Sequence, residues 1–123
     1  MASCEKIKVR RVEWSLAVAA KLSRSGGDDI DEIKAQVEQG AVIFEFENLA
    51  LAVCRIDQLN TRSEFVIVCL EGRGLHKIAP FLIGMAKRAG CHSIRVHTQR
   101  KGLSKMLERY QFKQDEIVLK KVL

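Results

Sequence analysis

An apolar run without alternation lies in the middle of the chain, at residues 65–70. Such a run is typical of a strand covered on both faces, as in the parallel part of a helix-flanked sheet. A turn at residues 71–74, a helical pattern ending at Gly90 and a strand pattern over residues 93–98 follow it. Strand, helix and strand in this order form a right-handed crossover, so we predict that the two strands are parallel neighbours. The turn then opens at the carboxyl end of the sheet, where ligands of such folds bind.

The patterns on either side predict the remaining elements. In chain order they are an edge strand at residues 6–11, helices at 13–24 and 29–37, hairpin strands at 41–47 and 49–56, a polar loop at 57–63, a short helix at 103–110 and a closing strand at 117–123. In the first hairpin strand Ile43, Glu45 and Glu47 alternate with Val42, Phe44 and Phe46, which predicts one solvent-exposed face. Pro80 fits only the first turn of a helix, so either the crossover helix begins near Ala79 or its first turn is irregular.

Length and composition indicate one globular domain spanning residues 1–123. The hydrophobic fraction is 47% and the charged fraction 29%, as in soluble domains, and no apolar run approaches the ~18 residues of a membrane span. The first residues lack the apolar core of a signal peptide, so we expect the protein in the cytoplasm. The four cysteines have no metal-finger spacing and two lie in predicted strands, so we expect reduced core thiols and no metal site.

Positive charge is concentrated in the second half of the chain. Residues 1–63 carry nine Lys/Arg and ten Asp/Glu, a balance of −1, whereas residues 64–123 carry twelve and five, a balance of +7. This asymmetry predicts an anionic partner, such as a phosphate-bearing cofactor, nucleic acid or an acidic protein, for Arg95, Arg100, Lys101, Lys105 and Arg109. A solvated basic face is the alternative, and the lack of interleaved aromatic residues disfavours single-stranded nucleic acid. An edge strand also makes a homodimer an expectation.

The order of the predicted elements resembles that of the GNAT acyltransferase superfamily. The segments Ala86-Lys87-Arg88-Ala89-Gly90, Ile94-Arg95-Val96 and Leu107-Glu108-Arg109-Tyr110-Gln111-Phe112 resemble that family's "A-x-x-x-G, strand, Y-E-K-x-G-F". The resemblance implies an α+β fold with a mixed central sheet and helices on both faces. Gly90-Cys91, Gln99-Arg100-Lys101-Gly102-Leu103 and the ending Ile117-Val118-Leu119-Lys120-Lys121 further resemble GNAT-like proteins of tailed bacteriophages and prophages, which would place the protein in a bacterial host's cytoplasm or in a virion.

The resemblance implies acetyl-CoA as cofactor, held by backbone N–H groups where the helix dipole favours phosphate. Its binding residues would be Cys69, Leu70, Glu71, Gly72, Arg73, Gly74 and Leu75. The family signature Q/R-x-x-G-x-G/A keeps its central glycine at Gly74, but Glu71 stands at the first position and His76 at the last. We expect the Glu71 carboxylate to repel the pyrophosphate and the His76 side chain to narrow its approach.

Two catalytic roles follow from the same resemblance. The family's tyrosine, a general acid for the departing thiolate, falls on Leu107, so Tyr110, one helical turn further, is the candidate acid. Glu45 is the candidate base for the amine, with Glu47 and Glu71 as alternatives. The sequence thus predicts an acyl-CoA-dependent N-acetyltransferase with a degenerate cofactor loop, or a catalytically inactive binding or assembly protein of a phage on the same scaffold.

Overall fold

The chain forms a mixed β-sheet with helices on both faces, and the computed structural model describes residues 7–26, 30–97, 107–113, 119 and 121–123. The elements of this part are β1 (Val9–Val12), α1 (Leu16–Gly26), α2 (Ile30–Glu38), β2 (Val42–Phe46), β3 (Ala50–Leu59), β4 (Arg62–Gly72), α3 (Leu75–Arg88) and β5 (Ser93–Val96). The strands lie in the order β1-β2-β3-β4-β5. Neighbours are antiparallel except β4 and β5, which are parallel. The predicted fold class and parallel crossover are confirmed.

Side chains on the two faces of the sheet pack into separate clusters. On one face α3 covers β2 to β5, and the cluster includes Phe46, Cys54, Phe65, Ile67, Leu70, Ile78 and Leu82. On the other face α1 and α2 contribute Val18, Leu22 and Ile33, which pack on Ile43, Leu51, Val53 and Cys69. The predicted solvent-exposed face of β2 is therefore wrong at Ile43, which is 1% exposed because the N-terminal helices cover it.

A β-bulge in β4 decides which way its last residues point. Cys54 pairs with Ile67 but Val53 pairs with Cys69, so Val68 has no opposite residue on β3. An extra residue of this kind reverses the alternation of side chains beyond it. Ile67 consequently belongs to the α3 cluster, whereas Cys69, also odd-numbered, belongs to the α1/α2 cluster.

The polar stretch at residues 57–63 is part of two paired strands, so the predicted loop is wrong. β3 continues to Leu59 and β4 begins at Arg62, which leaves a two-residue turn at Asn60 and Thr61. Asn60 has a φ of 46°, the left-handed conformation that such tight turns require. The stretch is polar because the end of this hairpin is exposed on both faces, not because the chain leaves the sheet.

Helix α3 begins at Leu75, so it does not begin near Ala79, and Pro80 lies inside it. The alternative, an irregular first turn, agrees with the i→i−3 bond from Lys77 N to Gly74 O, 2.9 Å long.

Several predicted features near the C-terminus lie outside the described residues. They include most of the short helix, of which Leu107 and Glu108 are helical, and most of the closing strand, of which Leu119 and residues 121–123 are described and adopt no strand. None of the helices described is both long and apolar enough to cross a bilayer.

Candidate functional site

A pocket of about 150 Å³ opens between the end of α1 and the ends of β2, β3 and β4. We call it the acidic pocket; it is lined by Lys21, Arg24, Glu45, Glu47, Asn48, Leu49, Ala50, Leu51, Glu71 and Gly72. Strand register forms its floor, because Leu51 of β3 pairs with Glu45 on one side and Glu71 on the other. The structure thus brings together all three carboxylates that the sequence suggested as bases.

Two of these carboxylates are held in place by the edge of the sheet. Arg10 Nε of β1 donates to Glu45 Oε1 over 2.6 Å, and the Glu45 side chain is 19% exposed. Lys8 N donates to Glu47 Oε1 over 2.9 Å. Both contacts use Oε1, and both residues also line the pocket.

Glu71 lies on the α1 side of the sheet and not beside the helix that would bind phosphate. It pairs with Leu51, a member of the α1/α2 cluster, whereas its neighbour Leu70 belongs to the α3 cluster. The bulge at Val68 causes this placement by reversing the alternation. The Glu71 carboxylate therefore lies on the opposite face of the sheet from α3, and the expected repulsion of a pyrophosphate at α3 is reduced.

Position 72 requires glycine, because the backbone of the β2–β3 turn leaves no space for a Cβ. The φ of Gly72 is +139°, and a Cβ there would lie 2.2 Å from Leu49 O and 2.6 Å from Ala50 Cα. The next amide, Arg73 N, donates to Leu49 O over 2.9 Å. The β2–β3 turn is thus tied to the β4–α3 turn, so the pocket and the start of α3 share one rigid junction.

Three consecutive backbone N–H groups at the start of α3 have no acceptor within the described part of the chain: those of Gly74, Leu75 and His76. Gly74, with a φ of 66°, precedes the helix, which has no side-chain N-cap. Free first-turn amides together with the helix dipole favour an anion. We call these groups the amide cradle. Of the predicted cofactor residues, Gly74 and Leu75 contribute to it, while Arg73 uses its amide within the protein.

Tyr110 supports the same turn of α3 from outside the helix. Pro80 has no N–H, so the carbonyl of His76, four residues earlier, lacks its normal helical donor. Tyr110 Oη donates to His76 O over 2.8 Å and takes that donor's place. The Tyr110 hydroxyl, which is the candidate acid, thus donates a hydrogen bond that stabilises α3. Its catalytic role stays a prediction.

Leu107 closes an apolar crevice where β4 and β5 separate. Pairing of the two strands ends at Ile67 and Val96, and the crevice beyond has a volume of about 10 Å³, roughly the space of one water molecule. Leu107, 6% exposed, and Phe112 line it together with Leu70 and α3 residues. Leu107 therefore packs in the crevice as an apolar residue at the position that the resemblance assigns to a proton-donating tyrosine.

The turn that ends the segment at residues 107–112 has the backbone conformation that the glycine of the family motif favours. Gln111 has a φ of 68°, and Phe112 N donates to Leu107 O over 3.2 Å, as in a Schellman C-cap. The family motif has glycine at the Gln111 position, the residue that this conformation favours. The alignment that places Leu107 at the family's tyrosine is therefore consistent with the geometry.

The two strand cysteines are protonated packing residues near neutral pH. Burial raises the pKa of Cys54 to about 12, and burial together with the Glu71 carboxylate raises the pKa of Cys69 to about 11. Both thiols are free. Since the thiolate is the reactive form, neither is suited to be a nucleophile, and Cys69 can contribute to a cofactor site only through its backbone.

The predicted basic cluster is described only in part. Arg95 Nε donates to Glu64 Oε1 over 3.0 Å, and Ser93 Oγ donates to Glu64 Oε2 over 2.9 Å, so Arg95 neutralises the carboxylate of a side chain that is 11% exposed. Arg109 is exposed, whereas Arg100, Lys101 and Lys105 lie outside the described residues. An anionic partner, and a homodimer through an edge strand, stay predictions.

Solved structures with the same fold include acetyltransferases. A transcriptional regulator from Bacillus halodurans C-125 superposes with a TM-score of 0.70 at 15% identity, over 96% of this chain and 100% of that one. An acetyltransferase from Trypanosoma brucei gives 0.64 at 15%, over 96% and 100%. Glucosamine-6-phosphate N-acetyltransferase from Arabidopsis thaliana gives 0.56 at 15%, over 96% and 99%. No family model and no curated protein matches the sequence. These superpositions show that the chain has the GNAT-like α+β fold.

The sequence did not single out three residues of this site. Lys21 and Arg24 reach the pocket because α1 crosses β4, and Leu49 accepts the Arg73 amide because the β2–β3 turn folds against Gly72. The three-residue spacing of Lys21 and Arg24, which places them on one helix face, was the available signal.

Proposed function

We propose that the protein is an acyl-CoA-dependent N-acyltransferase of a tailed bacteriophage or prophage, acting in the host cytoplasm. The observation that carries the proposal is the amide cradle, which begins two residues beyond Gly72, a residue that lines the acidic pocket. An anion-binding helix start and an amine-attracting pocket thus adjoin at one glycine. The fold shared with acetyltransferases supports the same function.

In this proposal the amides of Gly74, Leu75 and His76 bind the pyrophosphate of acetyl-CoA, which supplies its acyl group as a thioester. Exposed Arg73 and Lys77 add positive charge on the same turn. Glu71 or Glu45 attracts the ammonium form of the acceptor and takes its proton before the amine attacks. The apolar crevice, with a volume of about 10 Å³, is too small for the arm of the cofactor. Binding therefore requires Leu107 and Phe112 to move and widen the crevice.

Calorimetric titration with acetyl-CoA tests the proposal. We expect micromolar binding by the natural protein and its loss in Gly74→Asp, which places a carboxylate among the cradle amides. Gly90→Asp is the matched control, because Gly90 also has a positive φ, 78°, and open space around it, at the other end of α3. Absence of heat at millimolar acetyl-CoA, or equal loss in both variants, would contradict the proposal.

A second candidate is a catalytically inactive binding or assembly protein on the same scaffold. Leu107 favours it, because a buried leucine stands where the resembling enzymes have a proton donor and closes the crevice. The basic second half would then bind an anionic partner. This function is favoured if acetyl-CoA does not bind at millimolar concentration while the protein remains folded by circular dichroism.

A further inference from the structure

Opposite walls of the acidic pocket carry opposite charges. Glu45 and Glu71 lie on the sheet, on either side of Leu51. Lys21 and Arg24 lie on α1 above them, one helical turn apart and therefore on the same face. The pocket thus has a negatively charged floor on the sheet and a positively charged roof on α1.

The two walls do not neutralise each other. Among the residues that the structure describes, the side chains of Lys21 and Arg24 form no hydrogen bond or ion pair. Glu45 bonds to Arg10 and Glu47 to the Lys8 amide, in each case through Oε1 on the side of β1. The α1 cations therefore retain their full bonding capacity next to carboxylates that are held in place by other partners.

A ligand of mixed charge matches this arrangement better than a simple amine or a simple anion. A simple amine leaves the cations of the roof without an anionic partner, and a simple anion is repelled by the carboxylates of the floor. A zwitterion pairs both walls at once through charge-assisted hydrogen bonds. A cavity of about 150 Å³ takes a molecule of roughly six carbon atoms, which is the size of a small amino acid.

We propose that the acidic pocket binds a small amino acid, with the ammonium group on Glu45 and Glu71 and the carboxylate on Lys21 and Arg24. The proposal rests on the proposed transferase function in one respect, namely that this amino acid is the acyl acceptor. Its side chain extends toward the open mouth of the pocket, so the binding energy comes mainly from the backbone amine and acid groups.

Equilibrium binding separates this proposal from the transferase function, because it needs neither cofactor nor turnover. The full chain is titrated with L-amino acids and with their amides, alanine and alaninamide being the size-matched pair, and binding is followed by calorimetry and ligand-observed NMR. We expect alanine to bind at least about tenfold more tightly than alaninamide, since a charge-assisted contact is lost in the amide. The double variant Lys21→Gln/Arg24→Gln should remove that preference without weakening alaninamide binding, because the cationic amide loses no favourable charge contact.

Lys34→Gln is the control, because Lys34 is an exposed cation on α2 that does not line the pocket. Equal binding of amino acids and amides, binding of neither, or an unchanged preference in the double variant would overturn the inference. If amino acids bind as expected but acetyl-CoA gives no heat, the pocket assignment stands and the transferase function fails. If acetyl-CoA binds and the amino-acid preference is missing, the transferase function stands and this acceptor is wrong.

Discussion

The two sides of β4 differ in how much room they leave for a ligand. On the α3 side Leu70 borders a crevice of about 10 Å³, which Leu107 and Phe112 close. On the α1 side the next residue, Glu71, borders an open pocket of about 150 Å³. Consecutive residues of one strand therefore face a closed apolar site and an open charged site. The charged site is open in this structure, whereas the apolar site is closed by packed side chains.

The difference follows from what builds each side. The acidic pocket stands on β2, β3 and β4, whose backbones are hydrogen-bonded to one another, so its carboxylates have fixed spacing. The crevice lies beyond the last pair of β4 and β5 and is closed by side chains of a separate segment, residues 107–112. Side chains of such a segment move apart at lower cost than paired strands do.

The largest effect is expected at Gly72, the junction of the two sides. Gly72→Ala places a Cβ 2.2 Å from Leu49 O, and the obstacle is backbone, so we expect a loss of about 3 kcal/mol in the free energy of unfolding. Urea denaturation measures this. Gly74→Ala is the control, because its Cβ meets Leu49 side-chain carbons at 3.7 and 3.8 Å and incurs only the positive-φ cost of about 1 kcal/mol. Equal losses in the two variants would contradict the tight junction.

The next effect concerns the α3 side and the proline in its helix. Tyr110→Phe removes the donor to His76 O, and we expect a loss of about 1 kcal/mol in the free energy of unfolding. In a Pro80→Ala background the same substitution should cost much less, because residue 80 then has an N–H for that carbonyl. A double-mutant cycle by urea denaturation measures the coupling. Additive effects would show that Tyr110 does not replace the missing helical bond.

A gain in stability is expected at Gln111, on the segment that closes the crevice. Its φ of 68° favours glycine, so Gln111→Gly should raise the free energy of unfolding by about 1 kcal/mol. Gln111→Ala serves as control, since alanine does not relieve the conformation. Thermal denaturation of the three proteins at one pH distinguishes them, and no gain in the glycine variant would argue against the C-cap.

The smallest effect near neutral pH, one that appears only in alkali, is a loss of stability from one buried thiol on each face, Cys54 and Cys69. The folded pKa values, about 12 and about 11, lie above the ordinary value of 9.0, so the unfolded chain releases these protons first. Their contribution is complete below pH 9 and declines as the pH rises from 9 through the folded pKa values. We expect the melting temperature of the natural protein to fall more steeply between pH 9 and 11 than that of Cys54→Ala/Cys69→Ala. Parallel slopes would contradict the shifts.

Much of the fold was predictable because burial imposes periodicity. The uninterrupted run at residues 65–70 lies in β4, between two covered faces, and the crossover through α3 to β5 is parallel as expected. Polarity misled at residues 57–63, because a hairpin exposed on both faces has the composition of a loop. The three candidate bases also lie together in one pocket, since two of them, Glu45 and Glu71, share a register row across β3.

The sequence by itself determined the α+β order, the glycines of the β4–α3 turn and the carboxylates at the strand ends, because these depend on local periodicity and conformational preference. Only the tertiary structure decided which face each carboxylate occupies, because the bulge at Val68 is set by pairing with β3 and reverses every side chain after it. It also decided that Tyr110 bonds to His76 and that Lys21 and Arg24 lie over the pocket. Contacts between residues distant in sequence arise from packing, which no local pattern encodes.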